Sequence, residues 1–289
     1  MPSTTTTTIG ANYLATVINE VNLALSAKTI FVPGGVGFNT NTLDIKDMTG
    51  VQGMTARFGE VNAFTASIVD EDTEYAAYQA TTPTSVTITA CRHVVGTRVT
   101  KQSIMGAVNE FDIWKIAGRQ LAQAMGNEID TTVTTSFASF GTTIGTTNTD
   151  ITLANITEAA QTLRNANVDE KITIVLHGNQ WDDLMNEDDS PLVNAGMNQM
   201  AEGYWARWFY TDLFDLTWLV SNSVQTANAG EDYCGAMFSS KAIGLVWKGA
   251  PEIEYEWNKD AARWDILLSA YFAVDVVDDD RGLKIVTDV

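Results

Sequence analysis

Phe111, Trp114, Ala117, Leu121, Met125, Ile129, Val133 and Phe137 recur at steps of three and four residues. That spacing lines them up on one side of a helix and is the strongest helical pattern in the chain. Asn109 and Asp112 match an Asn-x-x-Asp capping box at its start, and the glycine- and threonine-rich run from Gly141 to Thr149 ends it. About thirty residues at 1.5 Å each make a rod of roughly 45 Å, longer than a typical globular helix. A chain carrying such a rod must fold around it, so the helix reads as a spine with one buried stripe.

The segments on either side follow different periods. Thr4 to Thr8 offer no apolar face and read as an exposed arm. Tyr13, Val17, Val21 and Leu25 fall four apart in a helix from Ile9 to Leu25, followed by a short β-prone run, Thr29 to Val32, and a loop, Pro33 to Gly37. Between Met54 and Arg98, threonine and β-branched residues dominate, and the pattern predicts a long hairpin whose polar tip lies near Asp70 to Pro83. A two-stranded ribbon alone is marginal in water, so this one must lie on another surface, of its own chain or of a neighbour. Past the spine, Asn155 and Glu158 predict a second capped helix with Ala159, Leu163 and Ala166 on its inner side. Ile172 to Leu176 and Leu216 to Val220 read as buried strands, with a helix from Gly178 to Asn186. The tail reads as strands over Ala242 to Trp247, Glu252 to Trp257, Arg263 to Val277 and Leu283 to Val289.

Little in the chain points to chemistry. The 17 Lys and Arg stand against 36 Asp and Glu, a formal charge of −19 that opposes broad phosphate-binding grooves. Cys91 and Cys234 lack metal or redox spacing, no apolar run is long enough for a membrane, and the start of the chain lacks the pattern of a signal peptide. His93 and His177 are the two candidate bases, without a nucleophile motif beside them; His177 reads better as a strand-end histidine held by backbone groups. Asp278 to Asp280 and Glu187 to Asp189 lack the spaced oxygens of a calcium loop and read as acidic turns. Gly34 to Gly37 lack the lysine and serine of a phosphate loop. The aromatic group Tyr204, Trp205, Trp208, Phe209 and Tyr210 suits either a sugar cleft or a sealed interior. No catalytic, cofactor or metal residue is singled out.

The order of segments, with Leu121 to Asp130 on the spine, Ile172 to Leu176 backed by Trp181 to Met185, Leu219 to Asn222, Ala236 to Gly244 and Asp275 to Gly282, resembles the major capsid protein of tailed double-stranded DNA bacteriophages, the Hong Kong 97 type of fold. The resemblance implies an α+β chain that is structural and not an enzyme, with an N-terminal arm (1–48), an extended β-hairpin loop (49–100), a peripheral domain built from the spine helix and antiparallel strands (101–151 and 237–289), and a compact α/β axial domain (152–236). It implies assembly with itself as pentamers and hexamers, scaffolding and portal proteins as partners, enclosure of double-stranded DNA without tight specific binding, no membrane, no cofactor, and a place in the virion after assembly in the host cytoplasm. Arg57, Arg92 and Arg98, with Glu60, Glu71, Asp72 and Glu74, are the candidates for pairing between subunits, and Trp114, Leu121, Met125 and Ile129 for the spine core. The absence of lysine between Lys46 and Lys101 speaks against the lysine-asparagine cross-link of some relatives. An acidic lining repels packed DNA. The alternatives are an encapsulin-type compartment shell of the same fold, an acidic carbohydrate-active enzyme using Trp205 and Trp208, and a tail-tube or decoration subunit. Deleting Glu60 to Val95 is expected to leave a folded protein that cannot form stable shells.

Overall fold

The stripe folds as its period dictates. In the computed structural model Glu110–Ser136 is one α-helix of 27 residues, about 40 Å long at 1.5 Å per residue, and Trp114, Ala117, Leu121, Met125, Ile129 and Val133 are all buried along it. The structure describes residues 16–21, 30–31, 40–61, 66–69, 74, 76, 78–80, 83–106, 110–186, 211–213 and 216–288. Outside these lie the threonine arm, Tyr13, Leu25, the 33–37 loop, the capping residue Asn109, Glu187 to Asp189 and the aromatic group 204–210.

In chain order, residues 16–21 are helical (α1). Four strands follow, Asp44–Asp47 (β1), Thr55–Val61 (β2), Pro83–Thr89 (β3) and Cys91–Thr100 (β4), then Lys101–Gly106 (α2), the spine (α3) and Thr143–Ile144 (β5). Leu153–Asn165 (α4), Ile172–Leu176 (β6), Gly178–Asn186 (α5), Thr211–Leu213 (β7), Leu216–Val220 (β8), Thr226–Ala227 (β9) and Asp232–Ser239 (β10) come next. Ile243–Trp247 (β11), Glu252–Asn258 (β12), Arg263–Val276 (β13) and Gly282–Asp288 (β14) complete the chain.

The strands form three sheets. In the five-stranded sheet β13 is the axis. On one side it pairs antiparallel with β4 over residues 263–272; on the other it pairs antiparallel with β12 over 263–269 and with β11 over 272–276, and β1 runs parallel to β11. Ile266, Leu268, Ala270 and Phe272 alternate inward along β13 and meet the α3 stripe and Val99 in one core. The seven-stranded sheet runs β5-β14-β10-β6-β8-β7, with β9 beside β10. Every residue of β6 and β8 is buried, because one face packs on the C-terminal half of α3 and the other on α4 and α5. β14 therefore pairs with β10 and β5, away from β11, β12 and β13.

The two-stranded sheet β2–β3 is the base of the long hairpin. It rests on its own chain: Phe58, Ala56, Ile88 and Ala90 join Met48 and Val246 in a small apolar core. Gly244 on β11 makes this seat. A Cβ there would lie 3.0 Å from Phe58 and Ile88 and 2.7 Å from Val277, so a side chain would lift the hairpin off the sheet. Lys248 Nζ donates to the carbonyls of Val51 and Gly53, and Lys46 Nζ donates to the Arg57 carbonyl and lies 4.3 Å above the Phe58 ring.

Several sequence-based expectations change. β4, read as part of the returning arm of the hairpin, is a ten-residue strand of the five-stranded sheet, so deleting Glu60 to Val95 would cut into the main core and cannot test the loop alone. Ile30 and Phe31 form a bend and no strand. α4 starts one turn earlier than Asn155: Thr152 is the N-cap, and Asn155, the third residue inside, returns the hydrogen bond, Thr152 N–H donating to Asn155 Oδ1 at 2.9 Å. Ile151 and Ile156, both buried, staple that turn. Ala166, expected on the inner side, is the exposed C-cap.

Candidate assembly surfaces

The pairing candidates are exposed wherever the structure describes them, and two of them already have partners within the chain. Arg57 lies exposed on β2, Glu60 stands opposite Thr84 in the β2–β3 register, and Glu74 is exposed. Glu71 and Asp72 fall outside the described residues. Arg92 lies 3.8 Å from Glu254, and Arg98 lies 3.3 Å from Asp265, which Arg263 also approaches at 3.0 Å. The strand registers put Arg92, Gly96 and Arg98 of β4 opposite Tyr271, Leu267 and Asp265 of β13. Glu254 and Glu256 of β12 continue the Leu267 and Asp265 rows, and Glu252 stands opposite Ser269 in the row of Val94. Together they make the outer face of the five-stranded sheet, where Gly96, Leu267, Arg98, Asp265 and Glu254 line an open trough of about 930 Å³. Exposed pairs of this kind contribute roughly 0–1 kcal/mol each to the isolated chain, so their side chains are free to change partners.

Trp114, Leu121, Met125 and Ile129 lie in the core that joins α3 to both large sheets. Trp114 meets Trp264 edge-on at 6.3 Å, and Trp264 touches Trp257 and Tyr255 at 5.2 and 5.8 Å between ring centres. This aromatic cluster closes one end of the sheet around the start of the spine.

The residues considered for chemistry are held in structural roles. His177 Nδ1 accepts the Asn179 N–H at 3.2 Å, so its proton sits on Nε2. Its ring stacks 3.7 Å from Tyr233, and burial pushes its pKa below the ordinary imidazole value. His93 stacks 4.0 Å from Phe272, with Nδ1 3.2 Å from Glu128 of the spine. In the acidic turn, Asp278 accepts from the Asp280 N–H and from Arg281 Nε, and Asp279 accepts from the Gly141 N–H at 2.8 Å. Cys91 is exposed and Cys234 is buried, its thiol pushed up by burial. Among the described residues no group of His, Cys, Asp and Glu is placed to hold a metal ion, and no helix is long and apolar enough to cross a membrane.

Sequence reasoning passed over Asp130. It is 4 % exposed on the flank of the stripe, where its carboxylate accepts the Ile30 N–H at 3.1 Å and the Phe31 N–H at 2.9 Å. Burial raises its pKa from 3.8 to about 6, against the lowering effect of those two bonds. The signal was available as a series four apart, Gly118, Ala122, Gly126, Asp130 and Thr134, every member of which is buried. At the other end of that series α1 crosses the spine at Gly118, where a Cβ would stand 3.1 Å from the Val17 carbonyl, and Arg119 pairs with Glu20 at 2.9 Å.

A sequence model described as phage capsid protein matches residues 85–285. No curated protein matches the chain in sequence. Among solved structures, the chain is similar to a protein of Mycobacterium phage Che8, with TM-score 0.65, 17% identity, 82% of this chain covered and 87% of that one. It is also similar to the capsid subunit of cyanophage Pam1, with TM-score 0.66, 10% identity and coverage of 86% and 90%. For the capsid of Ralstonia phage GP4 the TM-score is 0.65 at 11% identity, with coverage of 85% and 87%. At these identities the likeness is one of fold.

Proposed function

Because the chain belongs to the phage capsid protein family and has the Hong Kong 97-type fold, we propose that its copies, grouped as pentamers and hexamers, close into the icosahedral head around a double-stranded DNA genome. It is a structural protein of the virion capsid. Our reading adds that it catalyses nothing, assembles in the host cytoplasm, and uses a separate scaffolding protein and a portal.

One observation carries the reading. The base of the hairpin is pinned to its own chain, but beyond it Ile68 is 100% exposed and Tyr78 84% exposed. A large apolar side chain as exposed as Ile68, on a chain of charge −19, is poorly placed unless a second surface covers it. We assign that surface to a neighbouring copy, with Arg57, Glu60, Glu71, Asp72, Glu74, Arg92 and Arg98 as the charged groups that pair around it. The proposed division keeps residues 1–48 as the arm, 49–100 as the loop, 101–151 and 237–289 as the peripheral domain and 152–236 as the axial domain. The pairing of β14 with β10 argues for counting residues 282–288 with the axial part.

The test is to replace residues 62–82 by an Asn-Gly turn, which joins β2 to β3 directly. The shortened chain is expected to fold and to fail at forming stable closed shells. Shells as heat-resistant as those of the parent would overturn the role of the loop. Genomic DNA inside purified particles, as against a protein cargo, separates the phage head from a compartment shell.

A further inference from the structure

The five-stranded sheet is unfinished along β4. Among the described residues, no strand pairs with the edge of β4 that faces away from β13. Two hydrogen bonds tell which backbone groups lie open there. The Lys101 N–H donates to the Ala262 carbonyl at 2.9 Å, extending the β4–β13 ladder by one step. The Lys248 N–H donates to the Tyr271 carbonyl at 3.0 Å on the other side of β13. Backbone groups alternate sides along an unbulged central strand, so the even-numbered residues of β13 bond to β4 and the odd-numbered ones to β12. In register, Cys91, His93, Val95, Thr97 and Val99 are then the bonded residues of β4. Arg92, Val94, Gly96 and Arg98 turn their N–H and C=O groups outward, and all four are exposed. A long edge of this kind is a template for a further strand.

The same alternation leaves the backbone of Ile253, Tyr255 and Trp257 open on β12, the opposite edge of the sheet. That edge is guarded by Glu252, Glu254 and Glu256, all exposed. On β4 the outward residues are instead two arginines with Val94, 43% exposed, and Gly96 between them. Such an edge suits a short apolar strand that continues into acidic residues. Ser67, Ile68 and Val69 fit: they lie outside any strand, Ile68 is fully exposed, and Asp70, Glu71 and Asp72 follow in sequence.

The geometry points to strand addition between copies: residues 66–69 of one copy complete the open edge of β4 in the next, with Ile68 opposite Gly96. The inference rests on the assembly reading and names the surface that receives the loop. Gly96 has no side chain, and a Cβ there would meet Leu267 Cδ1 at 3.4 Å, an ordinary contact. The Ile68 side chain of a strand one spacing further out leans over this gap into the trough that Gly96, Arg98, Glu254 and Leu267 line. Arg92 and Arg98, held within the chain by exposed pairs at 3.8 and 3.3 Å, turn to the incoming acidic residues.

Cysteine pairing tests the contact in assembled particles, in a Cys91→Ser background that removes the exposed native thiol. Strand positions directly opposite one another lie within disulfide range. Oxidised particles of Ile68→Cys/Gly96→Cys should lose the monomer band on a non-reducing gel to covalent multimers. Ile68→Cys/Thr97→Cys, whose second thiol lies on the other face of the sheet, should stay monomeric. Shells that close normally with no linking, or with equal linking in both pairs, would overturn the strand addition and leave the assembly reading standing; a parent chain that forms no shells would remove both. Val94→Pro deletes one outward N–H and should melt within about 3 °C of the parent while its shells lose heat resistance. Val95→Pro breaks a ladder bond and should lower the melt of the chain itself. Val94→Pro shells as heat-resistant as those of the parent, or a Val94→Pro melt as low as that of Val95→Pro, would overturn the proposal, and these variants decide it should the cysteine pairs fail to assemble.

Discussion

Asp130 shows how one side chain ties distant segments at an energetic cost. Its carboxyl has a folded pKa of about 6 against 3.8 ordinarily, so its contribution to stability is fully present below about pH 4 and is lost as pH rises through about 6. The full swing is about 3 kcal/mol at most. Thermal melts of the parent and of Asp130→Asn should therefore converge or cross as pH rises from 4 to 8, the parent losing stability that the variant does not; parallel curves would refute the assignment. Glu170 behaves in the opposite way. Burial raises its pKa, but the hydrogen bond from Lys241, its own backbone and the charges of Arg281 and Lys241 outweigh that and hold it below the ordinary glutamate range. Arg281 Nη1 reaches both carboxylate oxygens, at 2.8 and 2.9 Å, and Lys241 lies at 2.5 Å. This stabilisation is present above the ordinary glutamate pKa and disappears as pH falls through the depressed one. Glu170→Gln should cost about 1–2 kcal/mol at pH 7 in denaturant unfolding, with the difference vanishing in acid. The four-apart series marks Asp130 as a buried position, but its partners, like those of Glu170, come from segments 71 to 111 residues away and could not be read from the sequence.

Elements with a sustained period were legible; those defined by their partners were not. The α3 stripe, the five-residue runs β6 and β8 and the strict alternation of β12 carry their own signal, and each forms within a residue or two of its expected bounds. The start of α4 was read one turn late because Asn155, a good N-cap type followed by Glu158, is here the third residue of a box opened by Thr152. β4 was assigned to the hairpin because a strand's alternation does not say which strand it will pair with. Its partner, β13, lies more than 160 residues further on. Placing a charge on the stripe, as Leu121→Asp or Ile129→Asp, should abolish soluble folding, since an unpaired buried carboxylate costs several kcal/mol. A variant that melts like the parent would contradict the spine. Gly244→Val forces a side chain against Phe58, Ile88 and Val277. We expect a loss of about 1–3 kcal/mol, with faster proteolysis of the β2–β3 base; an unchanged cleavage rate would remove the seat from the account.

At the scale of the molecule, the order of elements carried the resemblance that composition alone could not, since a charge of −19 excludes broad phosphate grooves without indicating a shell. The same charge opposes the gathering of copies. A Debye length of about 30 Å at 0.01 M salt falls to about 8 Å at 0.15 M, so light scattering should register faster assembly as salt is raised over that range. What the sequence concealed is the division of the hairpin into a base fixed on its own chain and a far end with Ile68 and Tyr78 in water. That division depends on the Gly244 seat, which a lone glycine between Ile243 and Leu245 does not announce. The central claim, that this chain is finished by copies of itself, is tested most directly by electron microscopy of the protein expressed alone and alongside the genes that neighbour its own. The account predicts closed icosahedral shells in which residues 62–82 of each subunit lie against the next. A population of separate monomers, with Ile68 and Tyr78 still in solvent, would contradict it.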